Sequence, residues 1–264
     1  QMLVIRQRGL DMSAGSTMTL AGLVLAGLAS STGSILFAIV LTILIAGLIG
    51  VFNGLLVSKI NISPIVATLA VDALLTGGVR AISGGTAITL PEGFQKFAHS
   101  SLFGIPTSLI FALFSIALVG VLINFTVLGR RFIAVGANHR AAAASGIRVF
   151  WYQVGAYVLA SICFSLAGMM LAGFVGSASQ TAGKDYLLPG IVAVIVGGTQ
   201  FSGGRGSITA TAVAALFMAQ LQQLVLALGA SAAIQLLIQA IAIIAAVGLR
   251  SLPHILNIWK RQFN

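Results

Sequence analysis

The sequence predicts an all-α fold, a polytopic bundle of transmembrane helices that forms a single domain over residues 1–264. Of the 264 residues, 58% are hydrophobic and only 7% are charged, whereas about a quarter of the residues in a water-soluble domain are charged. The hydrophobic residues are gathered in runs near the roughly 20 residues that a membrane-spanning helix needs. Such a chain cannot cover a soluble surface, so the lipid bilayer must be its solvent.

Eight apolar segments follow one another along the chain. They are 13–30, 35–58, 63–82, 105–125, 151–175, 186–202, 207–229 and 232–250. Ahead of them, QMLVIRQRG lacks both an initiator methionine at its first position and the apolar core of a signal peptide. We therefore expect residues 1–5 to be the tail of a helix that begins upstream. If two helices precede the eight segments, the intact protein has about ten spans.

Basic residues orient these segments. The connector 126–150 carries four arginines, one histidine and no acid, which predicts a cytoplasmic loop, because basic loops stay on the cytoplasmic side. Alternation from this loop puts eleven of the fourteen basic residues inside, and it predicts a cytoplasmic C-terminus. Those eleven are Arg6, Arg8, Lys59, Arg130, Arg131, Arg140, Arg148, Arg205, Arg250, Lys260 and Arg261, and the remaining three are Arg80, Lys96 and Lys184. This bias explains the net charge of +10 without a nucleic-acid partner.

A few residues in the early segments predict how the bundle packs. Gly50 and Gly54 form a GxxxG pair, which allows two helices to approach closely in lipid. Asn53 lies between them and can hydrogen-bond to another helix. Asp11 stands where a helix should begin, so we expect it to cap free backbone N–H groups; direct contact with a substrate is the alternative.

Three polar residues share one face of the third segment, 63–82. Asp72, Thr76 and Arg80 follow one another at intervals of four residues, which places them on the same side of a helix. Ionisable groups within a membrane segment are costly unless they face water or a partner. These residues are candidates for the transport pathway or its gate, and pairing to another helix is the alternative.

Enzyme chemistry finds little support in the sequence. The glycine-rich run 197–207 departs from a nucleotide-binding loop, because Gly204 and Arg205 stand where that loop has lysine and a hydroxyl residue. The three histidines are far apart, so no metal site is predicted, and the four acids provide no catalytic pair. We therefore predict no catalytic residues and no cofactor bound by this chain.

Five motifs in succession resemble the inner-membrane permeases of bacterial sugar-uptake ABC transporters. They are GLDMSAGS (9–16), FNGLLV (52–57), SPIVATL (63–69), GRRFIAVGANHRAAAASGI (129–147) and IVAVIVGGTQFSGGRGS (191–207). The chain is similar to the ribose-type branch, which also includes galactose, xylose, arabinose and autoinducer-2 systems. The resemblance implies a transport subunit without its own ATPase site.

The resemblance also implies the partners. The loop that matches 129–147 would contain a coupling helix seated on a cytoplasmic ATP-binding subunit, which would hold ATP and Mg²⁺. Further partners would be a second permease subunit and a periplasmic solute-binding protein, which would meet outer loops that include 83–104 and 176–185. The positions carried over to coupling are Gly129, Arg130, Gly136, Asn138, Ala142 and Gly146.

Two other classes of membrane protein remain as alternatives. A passive channel would not require a small-residue cytoplasmic docking loop. An ion-coupled secondary transporter of small solutes would need carboxylates near the middle of the membrane and, typically, an internal repeat. Only Asp72 has a suitable position, and the sequence shows no clear repeat.

Overall fold

The computed structural model describes residues 1–229 and, beyond them, residues 231, 234, 237, 238, 240, 241 and 244. Helices dominate this part of the chain, and four two-residue strands interrupt them. In chain order, the elements are α1 (Met2–Arg6), α2 (Ala14–Thr32), α3 (Ile35–Ser58), α4 (Pro64–Ser83), β1 (Ile88–Thr89), α5 (Glu92–His99), β2 (Ser101–Leu102), β3 (Ile105–Pro106), α6 (Thr107–Phe125), α7 (Val127–Ala137), α8 (His139–Ala144), α9 (Val149–Val175), β4 (Ser177–Ala178), a 3₁₀ turn (Lys184–Tyr186), α10 (Leu187–Val196) and α11 (Ile208–Ala227).

The all-α prediction is confirmed. Among the described residues, six helices are long and apolar enough to cross a membrane, namely α2, α3, α4, α6, α9 and α11. The segment 186–202, expected to be a full span, differs from the prediction, because α10 has only ten residues and ends at Val196. At 1.5 Å per residue it rises about 15 Å, roughly half of the hydrocarbon core. The eighth predicted segment, 232–250, lies for the most part outside the described residues.

Helix α2 forms the centre of the bundle. It packs against α3, α4 and α9, and Leu23, Leu25 and Ala26 on it are completely buried. Among the described elements, helices α3 and α9 make the most extensive contact. A Cβ atom built on Gly50 would lie 2.5 Å from the Cα of Val158 in α9. The absence of side chains at such positions therefore lets the two backbones touch.

The connector 83–104 contains more structure than its sequence indicated. Strand β1 pairs antiparallel with β4, with Ile88 opposite Ala178, and β2 and β3 form a small hairpin. Helix α5 turns Phe94 inward, so that a Cβ atom on Gly173 of α9 would lie 2.7 Å from its ring. This end of the bundle is closed by an amphipathic helix and two short strand pairs.

The opposite end gathers four segments that are far apart in sequence. Hydrogen bonds and a shared cavity of about 240 Å³ connect them. The four segments are residues 6–9, the turn after α3, helices α7 and α8, and the loop 197–207. The charge count assigned the same four segments to the cytoplasm. We call this end the junction end.

Candidate functional site

Helices α7 and α8 occupy the predicted coupling loop, and local sequence defines their ends. The Thr126 hydroxyl accepts a hydrogen bond from the Gly129 amide at 3.0 Å and so caps the start of α7. Asn138 separates the two helices and caps α8 by accepting from the Ala141 amide at 3.1 Å. Gly146 follows α8 with a φ of +76°, a conformation that favours glycine.

The six candidate coupling residues divide between two faces. Gly129, Gly136 and Ala142 are buried within the chain, whereas Arg130, Asn138 and Gly146 are exposed. A Cβ atom on Gly129 would overlap the carbonyl oxygen of Ile123 at the end of α6. The buried small residues therefore hold the two helices against their own protein, and the exposed ones remain accessible to a partner.

The exposed face of this pair is basic and contains small side chains. Arg130, Arg131 and Arg140 are exposed, together with Ala141, Ala143 and Ala144 of α8, and the exposed Arg148 follows at the start of α9. Beside it lies a cavity of about 430 Å³. Its lining residues are Leu128, Arg131, Gly146, Ile147, Arg148, Trp151 and Tyr152. An acidic or polar surface with a protruding apolar side chain would complement this face.

Residues 6–8 brace α7 from within the protein. The Gln7 Nε2 atom donates to the carbonyl of Phe132 at 2.8 Å, and the guanidinium of Arg8 donates to the carbonyls of Gly136 and Ala137. From the sequence, Arg6 and Arg8 served only to orient the membrane segments, and Gln7 was assigned no role. The available signal was three successive polar residues directly after an apolar run, but nothing local reveals their partners, which are more than a hundred residues away.

The stripe on α4 is only partly enclosed by this chain. Asp72 and Thr76 are half-buried, and Arg80 is exposed. The Thr76 Oγ1 atom is buried without a hydrogen-bond partner among the described residues. Within the same part of the chain, the one ion pair is Lys96 with Glu92, so neither Asp72 nor Arg80 is paired there to another helix.

Asp11 and Asn53 belong to one buried hydrogen-bond chain. The Asp11 Oδ1 atom accepts from the Ser13 amide at 2.9 Å and from the Ser13 hydroxyl at 2.6 Å. The Ser13 hydroxyl accepts in turn from the Asn53 Nδ2 atom at 2.9 Å. This hydrogen-bond chain therefore ties the start of α2 to the C-terminal part of α3, close to the contact of Gly50 and Gly54 with α9.

His139 lies half-buried at the junction end. Its Nδ1 atom lies 3.5 Å from the Nε2 atom of Gln153, and it shares the cavity of about 240 Å³ with Arg8 and Tyr157. Burial lowers the pKa of His139, and the neighbouring Arg8 guanidinium lowers it further. Because the pKa is lower in the folded state, the unfolded chain binds the proton first, and stability falls as the pH drops below about 6.5.

We therefore expect acidification from pH 7.5 to 5.5 to lower the melting temperature, and the change His139→Gln to reduce that drop. Thermal melting of the detergent-solubilised protein at both pH values measures the effect. The variant at pH 7.5 serves as the control for any direct effect of the substitution. An equal acid-induced drop in the two proteins would contradict the assignment to His139.

Known transport permeases are similar to this chain over most of its length. A family model described as "Branched-chain amino acid transport system / permease component" matches residues 1–247. The Ribose import permease protein RbsC of Bacillus subtilis (strain 168) is 37% identical over 247 residues, which cover 92% of this chain and 77% of the relative. The Autoinducer 2 import system permease protein LsrD of Yersinia enterocolitica is 32% identical over 228 residues, 84% of this chain and 69% of the relative.

A second LsrD protein, from Escherichia coli (strain SMS-3-5 / SECEC), has the same identity of 32% over 228 residues, covering 84% of this chain and 69% of the relative. No solved structure matches significantly. The resemblance inferred from the five motifs is confirmed. The chain belongs to the transport-system permease family in which these import permeases are found.

Proposed function

We propose that the chain is the membrane-spanning permease subunit of an ATP-driven importer in the bacterial inner membrane. It would move a sugar or sugar-like solute from a periplasmic binding protein to the cytoplasm by alternating access. The observation that carries this proposal is the α7–α8 pair, which presents a basic face of small residues outward and is braced inward by Arg8 and Gln7. The names of its relatives, ribose and autoinducer-2 import permeases, support the solute class.

ATP and Mg²⁺ would bind to a partner ATPase seated on α7 and α8. The glycine-rich loop of this chain supports the assignment of ATP binding to a partner, because two of its backbone N–H groups donate hydrogen bonds within the protein. The Gly204 N–H donates to the carbonyl of Arg6 at 2.9 Å, and the Gly203 N–H donates to that of Gln200 at 3.1 Å. A phosphate-binding loop instead directs such amides at its ligand.

The solute would pass along the polar stripe of α4 at a contact with a second permease subunit. Asp72, Thr76 and Arg80 line one face of this helix, and the large apolar residue Leu69 is exposed on the same face. The periplasmic binding protein would meet the opposite end of the bundle. There the β2–β3 hairpin presents Phe103 with 96% of its surface exposed.

Charge reversal on the outward face tests the docking surface. We expect the double change Arg130→Glu and Arg140→Glu to weaken co-purification of the ATPase encoded beside the gene by at least roughly 10-fold, because rim and interface charges steer and hold complementary surfaces. Lys59→Glu is the matched control, since Lys59 is an exposed basic residue at the same end but outside α7 and α8.

Uptake into proteoliposomes tests the energy source. Transport should require the ATPase, ATP and Mg²⁺, and a panel of binding proteins identifies the solute. Uptake driven by an ion gradient without ATP hydrolysis would overturn the proposal in favour of a secondary transporter. Unchanged co-purification of the charge-reversed permease would place the ATPase elsewhere.

A further inference from the structure

We infer that residues 6–8 are a positioning element that makes α7, α8 and the loop between α10 and α11 move as one unit. The inference rests on the proposed function, because it concerns how a displacement at the ATPase would reach the helices. Sequence order alone would pass such a displacement only to α6 and α9, the helices directly joined to α7 and α8. The contacts of residues 6–8 add a connection to α10 and α11.

The first contact joins Arg6 to the glycine-rich loop. The Arg6 Nε and one terminal guanidinium nitrogen both donate to the Gly204 carbonyl, at 3.2 and 3.1 Å. The Gly204 amide returns a hydrogen bond to the Arg6 carbonyl at 2.9 Å. Arg6 is only 4% exposed, so these bonds form away from bulk water, where breaking them leaves buried donors unpaired.

The second contact joins Arg8 to the end of α7. Its guanidinium donates to the carbonyls of Gly136 and Ala137, two groups that find no partner within a helix that ends at residue 137. A cation at this position also opposes the negative end of the helix dipole. Gln7, between the two arginines, donates to the Phe132 carbonyl. Three successive side chains thus hold two distant segments.

Glycines bring the two segments close enough to interlock. A Cβ atom on Gly136 would overlap the Arg6 carbonyl oxygen, and one on Gly204 would lie 2.8 Å from the Cα of Ala137. A Cβ atom on Gly203 would lie 2.5 Å from the Gly136 carbonyl oxygen and 2.6 Å from the Arg8 Cγ. The backbone of α7 and the backbone of the loop therefore have no room to slide past each other.

An apolar cluster beneath the junction connects the same elements. Its buried members are Met2, Leu3 and Ile5 of α1, Ile123 of α6, Phe132 of α7, Ala156 of α9, Val194 of α10 and Ile208 of α11. Because a packed interior transmits displacement instead of absorbing it, a shift of α7 would carry the ends of α10 and α11 with it. Arg6, Gln7 and Arg8 fix the direction of that shift.

Three measurements on the assembled transporter test this inference. Arg8→Ala should leave ATPase co-purification intact and ATP hydrolysis within about 2-fold of wild type, while solute moved per ATP falls at least 5-fold. Arg8→Lys, which retains the charge and one donor group, should recover part of that ratio. Lys59→Ala is the control, because Lys59 is an exposed basic residue at the same end. It should leave the amount of solute moved per ATP unchanged.

The outcomes separate this inference from the proposed function. Wild-type uptake that ran without ATP hydrolysis would overturn the proposed function itself. An unchanged transport-to-ATP ratio in Arg8→Ala would overturn the positioning role alone. Loss of the ATPase from the complex would also overturn it, since Arg8 would then merely support the docking surface. If Arg8→Ala does not accumulate in the membrane, the same measurements on Arg8→Gln decide.

Discussion

Replacing Gly50 with leucine is expected to prevent accumulation of the folded protein. The Cβ atom would lie 2.5 Å from the Val158 Cα and 2.7 Å from the Tyr157 carbonyl oxygen, so the whole backbone of α9 would have to move. Overpacking costs about 1–3 kcal/mol even where side chains can adjust, and here the obstacle is backbone. We expect a loss above about 3 kcal/mol, a large part of the typical 5–15 kcal/mol of a folded domain.

Gly47 provides a matched control one turn earlier on the same helix. A Cβ atom there would meet nothing within 4 Å, and leucine has a better helix propensity than glycine by roughly 1 kcal/mol. Gly47→Leu should therefore be expressed as well as wild type. Membrane-inserted yield and fluorescence-detected thermal melting measure both variants. Similar behaviour of the two would show that the α3–α9 contact does not limit stability.

Replacing Asp11 with alanine is expected to have the second largest effect. Asp11 is completely buried, and its Oδ1 atom accepts hydrogen bonds from both the amide and the hydroxyl of Ser13. Alanine would leave two buried donors without an acceptor, at about 1–3 kcal/mol for each group. The Asn53 side chain, bonded to the same Ser13 hydroxyl, would lose its orientation as well. We expect a destabilisation of about 3 kcal/mol.

Asp11→Asn distinguishes capping from a role in transport. Asparagine keeps an acceptor oxygen for the Ser13 amide and hydroxyl, so the stability of this variant should lie within about 1 kcal/mol of wild type. Thermal melting and uptake are measured on both variants. If Asp11 contacted the solute through its charge, Asp11→Asn would fold normally and still lose transport, which is the outcome that contradicts a capping role.

The hydrophobic pattern predicted the long helices well because each of them has to span the bilayer by itself. It failed at 186–202, where the length of the apolar run suggested a span. Pro189 and Gly190 lie within α10, and Gly197 and Gly198 follow it directly. A 3₁₀ turn, Lys184–Tyr186, directly precedes α10 and includes the first residue of the predicted span. Hydropathy counts apolar residues but does not distinguish a half-length helix against protein from a full one against lipid.

The candidate site was predictable only in outline. The distribution of basic residues predicted that 126–150, Arg6, Arg8 and Arg205 lie on the same side of the membrane. The structure brings these segments to one end of the bundle. The sequence treated Gly129 and Gly136 as part of a partner-facing surface, but the structure buries both against the protein's own carbonyls. Periodicity over two short helices could not decide which face turns inward. That depends on residues 6–8 and 203–204, which no local pattern connects to α7.

The Arg6–Gly204 contact has a consequence for biosynthesis. The two residues are 198 positions apart, so during translation Arg6 reaches the membrane long before its acceptor exists. Its guanidinium must then remain solvated by water or lipid phosphate at the membrane surface, because burying an unpaired cation is costly. The core around α2, α3 and α9 needs only residues up to 178. Assembly should therefore proceed from this centre, and the junction end should close last, once the ribosome has released the glycine-rich loop.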